Sequence, residues 1–279
     1  MTVYALDVIA PRDTAYDLAE RLGFDGLHDA LSVSVFDRPD GRCQVQGLYE
    51  TEALALAALE ALGTDGTVSP LPDTDWVART QAGLPPIEAG RFVVHGSHDR
   101  APDDGRIGVL IDAGAAFGTG HHGTTKGCLL MIDDIDIPPA TILDLGTGAG
   151  ILAIAAAKRF PDANIVATDI DADAVAVARD NAARNAVSFA CLQADGFESE
   201  ALSGRTFDLI IANILAGPLM DLAPEIASAL KDEGHAILSG ILDAQADTVA
   251  DAFRAEGLRV QKRPSLDGWT SLWAQGPDG

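Results

Sequence analysis

Over the first seventy residues, apolar positions recur at every second residue in some segments and at helical spacing in others. The first pattern predicts strands and the second predicts helices. The predicted strands are 3–9, 31–36, 43–49 and one beginning at 68, and the predicted helices are 13–22 and 51–62. Residues 37–42 form a turn-rich cluster that predicts a hairpin, and Thr51 is placed to cap the second helix. This order of elements is that of a ferredoxin-like α+β domain, which we expect at residues 1–70 as a binding module.

From residue 141 onward, short apolar runs alternate with helical patterns. Runs of this kind are typical of parallel strands that are buried on both faces. The predicted strands are 141–145, 164–168, 188–193, 208–212 and 235–239, the predicted helices are 150–160, 172–185 and 218–232, and a terminal strand at 268–275 is predicted as an antiparallel edge. The alternation predicts a doubly wound, Rossmann-like α/β domain, which we place at residues 106–279.

The segment between these regions, residues 71–105, is rich in proline, glycine and aspartate. We interpret it as a linker that contains a short helix at 76–81 and a strand at 91–95, because it lacks the apolar pattern of an independent domain.

Composition and charge narrow the class of protein. Hydrophobic residues make up 47% of the chain, which suits a buried core, yet no apolar run approaches the roughly 20 residues of a membrane helix. The cysteines Cys43, Cys128 and Cys191 form no CxxC pair, and no secretory signal is recognisable, so we expect a cytoplasmic protein with reduced core thiols. A net charge of −23 disfavours direct binding of nucleic acid and favours a basic protein partner. An acidic surface that only keeps the protein solvated is the alternative.

The strongest local signal is the glycine turn at residues 144–150, Asp-Leu-Gly-Thr-Gly-Ala-Gly, which follows a predicted strand and opens a helix. Glycines such as Gly146 and Gly148 permit a tight turn and a close approach of backbone to ligand, at the position where doubly wound sheets bind nucleotides. Ile151 stands where the dinucleotide pattern GxGxxG has glycine, which disfavours a pyrophosphate. S-adenosylmethionine has no phosphate and carries cationic groups, to which Asp144 can present a negative charge.

Acidic residues follow the second and third predicted strands. Asp169 stands where a carboxylate can accept both hydroxyls of a ribose. Asp171, two residues later, is placed to cap the next helix. Asp195 can hold an adenine amino group or serve as a cap, and the sequence leaves both interpretations open.

Asn213 follows the fourth predicted strand. An unpaired amide at a buried edge costs about 1–3 kcal/mol, which favours a functional partner for it. Beside a methyl donor, its side-chain oxygen and a neighbouring backbone carbonyl can accept hydrogen bonds from a substrate amine and aim the nitrogen at the methyl carbon. The alternative is a helix cap ahead of Pro218.

The segment 116–125, AFGTGHHGTT, is dense in glycine, threonine and histidine and precedes a predicted helix. We interpret it as a loop that closes over a cofactor. The adjacent His121 and His122 suggest a metal, but neighbours in a chain rarely point at one ion and no third ligand is close, so we expect no metal.

Together these motifs resemble the PrmA family, the methyltransferases of large-subunit ribosomal protein L11. That family has AFGTGTHPTT, DxGCGSGILAIAA, IDID and ANILAGPL, where this chain has AFGTGHHGTT (116–125), DLGTGAGILAIAA (144–156), TDID (168–171) and ANILAGPL (212–219), and SGIL (239–242) followed by Gln245 also matches. The chain departs from the pattern at His121, Gly123, Thr147 and Ala149.

The resemblance implies that an amino-terminal ferredoxin-like domain recognises the substrate. It implies transfer of methyl groups from S-adenosylmethionine to lysine ε-amino groups and the terminal α-amino group of L11. The family's cofactor contacts fall on Thr125, Gly146, Asp169 and Asn213.

Three other functions compete with this interpretation. An NAD-dependent oxidoreductase shares the glycine turn and the acid that binds ribose. An amine or glutamine N-methyltransferase that acts on a different basic protein shares the whole predicted site. A non-catalytic binding module could retain the fold alone. No general base is apparent besides His121 or His122, and bulk water can take the proton.

Overall fold

The computed structural model of the chain describes residues 3–23, 30, 32–38, 40–71, 86–97, 99, 101–111, 122–263 and 265–276. Its contacts divide these residues into two units, the first within residues 3–71 and the second within residues 86–276. The predicted helix at 76–81 and the greater part of the predicted loop at 116–125 lie outside the described residues.

The first unit has the predicted ferredoxin-like order. Its elements are β1 Val3–Pro11, α1 Arg12–Gly23, β2 Ser32–Asp37, β3 Arg42–Tyr49, α2 Glu52–Leu62 and β4 Thr67–Leu71. The strands form an antiparallel sheet in the order β2-β3-β1-β4. Alternate residues of β1 enter the core, with Leu6 and Val8 buried. Asp7, on the other face, accepts hydrogen bonds of 2.8 Å from Gln44 and Gln46.

Local signals in the first unit act as predicted. Thr51 caps α2, since its hydroxyl accepts a hydrogen bond of 3.3 Å from the backbone N–H of Leu54. Gly63 ends the helix in a left-handed conformation with φ of 65°, which glycine adopts without a steric penalty. In the hairpin, the N–H of Arg38 donates to the carbonyl of Arg42 at 2.9 Å.

The second unit is a doubly wound α/β structure, which confirms the predicted fold class. Its helices are α3 His122–Asp133, α4 Ile151–Arg159, α5 Ala172–Arg184, α6 Ala216–Asp221, α7 Ala223–Ala229 and α8 Ala246–Ala255, with a 3₁₀ turn at Asp243–Gln245. Its strands are β5 Ile87–Ala89, β6 Phe92–His95, β7 Ile107–Leu110, β8 Thr141–Leu145, β9 Asn164–Asp169, β10 Ala190–Gln193, β11 Phe207–Asn213, β12 Leu230–Leu242, β13 Arg259–Lys262 and β14 Trp269–Gln275. The main sheet runs β10-β9-β8-β11-β12-β14-β13, and β14 is antiparallel to both of its neighbours.

The predicted linker differs from the structure in its second half. Strands β5, β6 and β7 form a small sheet that belongs to the second unit. The side chain of Asn185 holds the outer edge of β7, because it accepts from the N–H of Leu110 at 2.9 Å and donates to the carbonyl of Leu110 at 2.6 Å. Lys158 also donates to the carbonyl of Gly108 at 2.6 Å. Polar side chains thus form hydrogen bonds with the edge of β7 that a fourth strand would otherwise form. These contacts join residues far apart in the chain, so a local sequence pattern does not reveal them.

Two further elements depart from the prediction. The predicted helix at 218–232 is two short helices followed by the start of β12, and Pro224 explains the break because it has no N–H to continue α6. The strand predicted at 268–275 forms as β14, but β13 lies outside it and takes the edge position. β13 is short and mostly exposed, so it lacks the apolar run on which the prediction relied.

Candidate active site

The predicted site residues converge at the carboxyl ends of adjacent strands. Gly146 follows β8, Asp169 ends β9 and Asn213 ends β11. β8 lies between the other two strands, and Leu145 pairs with Thr168 on one side and with Ala212 on the other. Neighbouring strands are about 4.8 Å apart. The point between β8 and β11 is also where the strand order reverses, which is the ligand-binding position of doubly wound sheets.

The glycine turn uses the conformational freedom of its glycines. Gly146, Gly148 and Gly150 have φ values of 70°, 54° and 84°, which residues with a Cβ rarely adopt. The turn is tied to the neighbouring strand, since the N–H of Thr147 donates to the carbonyl of Thr168 at 2.8 Å. Its conformation is therefore set before any ligand binds.

Asp144 has an internal role that differs from the predicted contact with a cationic ligand. Its side chain is 1% exposed. The carboxylate oxygen Oδ2 accepts hydrogen bonds from the Thr147 hydroxyl at 2.6 Å and the Ala153 N–H at 3.0 Å. Burial raises the pKa of Asp144 to about 6, although the Thr147 and Ala153 hydrogen bonds oppose this shift and the charge of Asp169 adds to it. The buried carboxylate thus stabilises the glycine turn through these two hydrogen bonds.

Asp169 connects the glycine turn to the end of β9. One of its carboxylate oxygens accepts from the N–H of Gly148 at 2.8 Å, and the other accepts from the N–H of Asp171 at 3.0 Å. Because a carboxylate has about four lone-pair sites, two acceptor positions remain for ribose hydroxyls. Asp171 caps α5 as predicted, since its side chain accepts from the N–H of Asp173 at 2.9 Å.

Asp195 lies close to Asp169 along the edge of the sheet. The N–H of Ala194 donates to the carbonyl of Asp169 at 2.9 Å, and the side chain of Asp195 is exposed. The neighbouring Ile170 is 63% exposed. An accessible carboxylate and an apolar side chain therefore flank the end of β9, and the predicted contact of Asp195 with an adenine stays a prediction.

Asn213 is half-buried at the end of β11, where it pairs in register with Ser239 of β12. Its side chain forms no hydrogen bond with the residues that the structure describes. It does not cap the next helix, because the cap of α6 is Leu215, which forms no side-chain capping bond. The structure therefore leaves an amide free beside the glycine turn and does not support the helix-cap interpretation.

Thr125 lies half-buried in the first turn of α3. The preceding carbonyl, that of Thr124, accepts a hydrogen bond of 3.4 Å from the Ser239 hydroxyl, which in turn lies 2.9 Å from the Ser271 hydroxyl. This network ties the start of α3 to the strand beside Asn213. His121 and the side chain of His122 lie outside the described residues, as does the closure of the loop at 116–121.

Metal ligation receives no support within the described ranges. No group of three or more His, Cys, Asp or Glu side chains in those ranges could hold a metal ion. The three cysteines are buried, and none of them forms a disulfide.

Sequence reasoning missed Asn181, which holds the glycine turn from the helix side. Its amide donates to the carbonyl of Ala149 at 2.9 Å, and its own backbone carbonyl accepts from Asn185 at 2.8 Å. Asn181 is 2% exposed. The signal was available, because an asparagine on the apolar face of a helix requires a buried partner.

Comparison with known proteins places this site in a family. The sequence profile described as ribosomal protein L11 methyltransferase (PrmA) matches residues 37–276. The chain belongs to the PrmA family. A Rhodopseudomonas palustris protein named ribosomal protein L11 methyltransferase is 42% identical over 95% of this chain and 94% of its own length. A Brucella suis protein of the same name is 43% identical over 94% of this chain and 95% of its own.

A solved structure extends the likeness to the fold. The ribosomal protein L11 methylase of Lactobacillus delbrueckii subsp. bulgaricus superposes with a TM-score of 0.62 at 32% identity, over 69% of this chain and 98% of that one. Membership in the PrmA family makes this protein a methyltransferase that uses S-adenosylmethionine, and the oxidoreductase alternative is set aside.

The residues present fit that methyl donor. No lysine or arginine stands between residues 144 and 157, so the glycine turn offers no cationic side chain for a phosphate. The carboxylate of Asp169 retains acceptor positions for a ribose. The PrmA contacts expected at Thr125, Gly146, Asp169 and Asn213, and the close approach of ligand to Gly148, stay predictions residue by residue.

Proposed function

We propose that this protein transfers methyl groups from S-adenosylmethionine to lysine ε-amino groups and the terminal α-amino group of ribosomal protein L11. The observation that carries the proposal is the free side chain of Asn213, which ends β11 beside the glycine turn. An amide oxygen without an internal partner is an acceptor for the N–H of a substrate amine.

Asn213 would act by orientation. Its side-chain oxygen and the backbone carbonyl of Ile214 would accept the two N–H groups of a neutral amine, so that the nitrogen lone pair points at the methyl carbon. When it is bound, S-adenosylmethionine supplies an electrophilic methyl group on a sulfonium that is already a good leaving group. Holding the two reactants in line is therefore the main contribution of the protein.

The amine must lose a proton before it attacks, because a lysine amine has a pKa of about 10.4 in water. Partial burial beside the apolar side chains of Ile214 and Leu215 would lower that pKa by desolvation. We assign the proton to bulk water.

Charge supports a basic protein as substrate. The net charge of −23 attracts cationic proteins and repels phosphate backbones, so we propose L11 as partner without direct binding of nucleic acid. Among the described residues, no helix is long and apolar enough to cross a membrane. We place the protein in the cytoplasm, where its buried cysteines, which form no disulfide, would stay reduced. We assign substrate recognition to residues 1–70.

The test uses radiolabelled S-adenosylmethionine and ribosomal proteins from a strain that lacks this enzyme. We expect one labelled band at L11, with label on lysine and on the terminal amine after hydrolysis. Label on another basic protein would favour the second candidate, an amine or glutamine N-methyltransferase with a different target. Cofactor binding without any labelled protein would refute both.

A further inference from the structure

Ile214, the residue after Asn213, is held between two glycines from different strands. A Cβ built on Gly146, after β8, would lie 2.3 Å from Cγ2 of Ile214. A Cβ built on Gly240, in β12, would lie 2.0 Å from the carbonyl oxygen of Ile214 and 2.7 Å from its carbonyl carbon. Real Cβ contacts are not shorter than 3.0 Å. The side chain of Ile214 thus packs on the glycine turn, and its backbone packs on β12.

Gly240 lies where β12 departs from regular pairing. The register between β12 and β14 shifts between Leu238 and Ile241, and Gly240 has φ of 84°. Ser239, on the other side, still pairs with Asn213. An irregularity of this kind bends a strand and redirects its neighbours, and such features concentrate next to active sites. Here it brings the backbone of β12 against the peptide that follows Asn213.

We propose that Gly240 is a positioning residue for methyl transfer, which sets the distance between Asn213 and the glycine turn through Ile214. The inference rests on the proposed role of Asn213 as amine acceptor. A methyl group at Gly240 would displace the Ile214 carbonyl by at least about 1 Å, from 2.0 to 3.0 Å or more. That carbonyl is the second acceptor that we assign to the substrate amine, and it lies one residue from the Asn213 amide, so its displacement disturbs the arrangement of the two acceptors.

The test compares Gly240→Ala with Gly257→Ala. Gly257 has φ of 87° and nothing within 4 Å of the position of a Cβ, so both variants carry the same backbone strain and only Gly240→Ala adds a contact. We expect kcat of Gly240→Ala for L11 to fall about 100-fold, whereas its Kd for S-adenosylmethionine stays near that of wild type. Gly257→Ala should retain kcat.

Equal kcat values for the two variants would overturn the proposal. It would also be overturned if Gly240→Ala lost cofactor affinity and near-ultraviolet circular dichroism in parallel with kcat, because that pattern indicates a purely structural role.

A second variant serves if Gly240→Ala does not fold. Ile214→Ala adds no atom and removes the Cγ2 group that packs on Gly146. The distance between Asn213 and the glycine turn is then less firmly fixed, because the contact on the side of the turn is lost. We expect kcat to fall about tenfold with the cofactor Kd near that of wild type. Val260→Ala is the control, since Val260 packs as a partly buried residue on the same core. Wild type that labels L11 while Ile214→Ala keeps full kcat would refute this inference alone, whereas wild type that labels nothing refutes the proposed function.

Discussion

The two sides of the candidate site satisfy their polar side chains in different ways. On the donor side, which comprises the glycine turn with Asp144 and Asp169, each carboxylate accepts two hydrogen bonds from the protein itself. On the acceptor side, which comprises Asn213, Ile214 and Leu215, the amide of Asn213 has no partner within the described residues. The amide of Asn213 is only half-buried, so solvent can satisfy it until a ligand takes its place, and we propose that this ligand is the substrate amine.

This difference indicates that the two sides of the candidate site have different functions. The hydrogen bonds of the donor side form when the chain folds, so the cofactor meets a preorganised turn and loses little free energy to ordering it. In the proposed function, the acceptor side is completed only when a substrate amine arrives. Changes on the donor side should therefore alter mainly cofactor affinity or stability, whereas changes on the acceptor side should alter mainly kcat.

The largest effect is expected for Asp169→Ala. The variant removes the acceptor for ribose and also the bond that holds the N–H of Gly148. Hydrogen bonds to a charged group contribute about 1.5–3 kcal/mol each, so the Kd for S-adenosylmethionine should rise about a thousandfold in calorimetry.

Asp171→Ala is the matched control, because it removes the same charge two residues away. Asp171 caps α5, so its loss should cost about 1 kcal/mol of stability and leave the cofactor Kd nearly unchanged. If both variants bound the cofactor equally well, the donor side would not depend on Asp169.

The next effect is expected for Asn213→Ala on the acceptor side. Loss of one orienting group should lower kcat for L11 about 100-fold at saturating cofactor, whereas the cofactor Kd should rise much less than in Asp169→Ala, by the one contact that the PrmA resemblance gives to Asn213. The control is Asn164→Ala, an exposed asparagine at the start of β9. Full turnover of Asn213→Ala with normal cofactor binding would show that the amide does not orient the amine.

The carboxyl edge of the sheet could be predicted from the sequence because parallel strands end at one edge. Gly146, Asp169 and Asn213 each follow an apolar run, so their convergence needs only the strand order. The burial of Asp144 follows from its place in a strand predicted to be buried on both faces, but its partner could not be predicted, because α4 must fold back before the N–H of Ala153 reaches the carboxylate.

Contacts between distant segments limited the prediction elsewhere. Gly240 stands in an ordinary apolar run, and its importance arises only where the backbone of Ile214 meets it. β13 was missed because it is stabilised by pairing with β14 rather than by apolar residues of its own. Local sequence patterns indicate which residues are buried and where turns lie. The position of β13 and the contact of Gly240 with Ile214 depend instead on which residues of neighbouring strands lie opposite each other.

Asp144→Asn tests whether the donor side contains a buried carboxylate with a raised pKa. The pKa of Asp144 is raised by burial to about 6, from 3.8, so between these values the folded state binds a proton that the unfolded state does not. The free energy of unfolding therefore rises as pH falls from about 6 toward 3.8, because protonation removes the cost of burying the charge of Asp144. At 1.36 kcal/mol per unit of pKa, wild type should gain about 2 kcal/mol relative to the variant between pH 7.5 and pH 4.5.

Urea unfolding at the two pH values, followed by tryptophan fluorescence, measures this difference. Asp195→Asn is the control, since it removes the same charge from an exposed position. A constant difference in unfolding free energy between wild type and Asp144→Asn across the two pH values would contradict the raised pKa.

The smallest effect is expected at the opposite end of the strands, where Lys231→Met removes an ion pair. The ammonium of Lys231 lies 2.9 Å from the carboxylate of Asp208, which also accepts from the N–H and hydroxyl of Thr141 at 2.8 Å. Burial acts to raise the pKa of Asp208, but the hydrogen bonds from Lys231 and Thr141 outweigh it and lower that pKa. The pair therefore stabilises the fold above pH 3.8, and this contribution is lost as pH falls through the lowered pKa.

Because both partners are about one-third exposed, the loss in Lys231→Met should be below about 1 kcal/mol at pH 7 and should vanish at low pH. Methyl transfer should be unchanged, since the pair lies at the amino ends of β11 and β12, away from both sides of the site. Lys262→Met, which breaks the more exposed pair with Asp247, provides the comparison for a lost surface cation. A fall in kcat of Lys231→Met beyond that of Lys262→Met would show that the two ends of the sheet are coupled and that the division between donor and acceptor sides is incomplete.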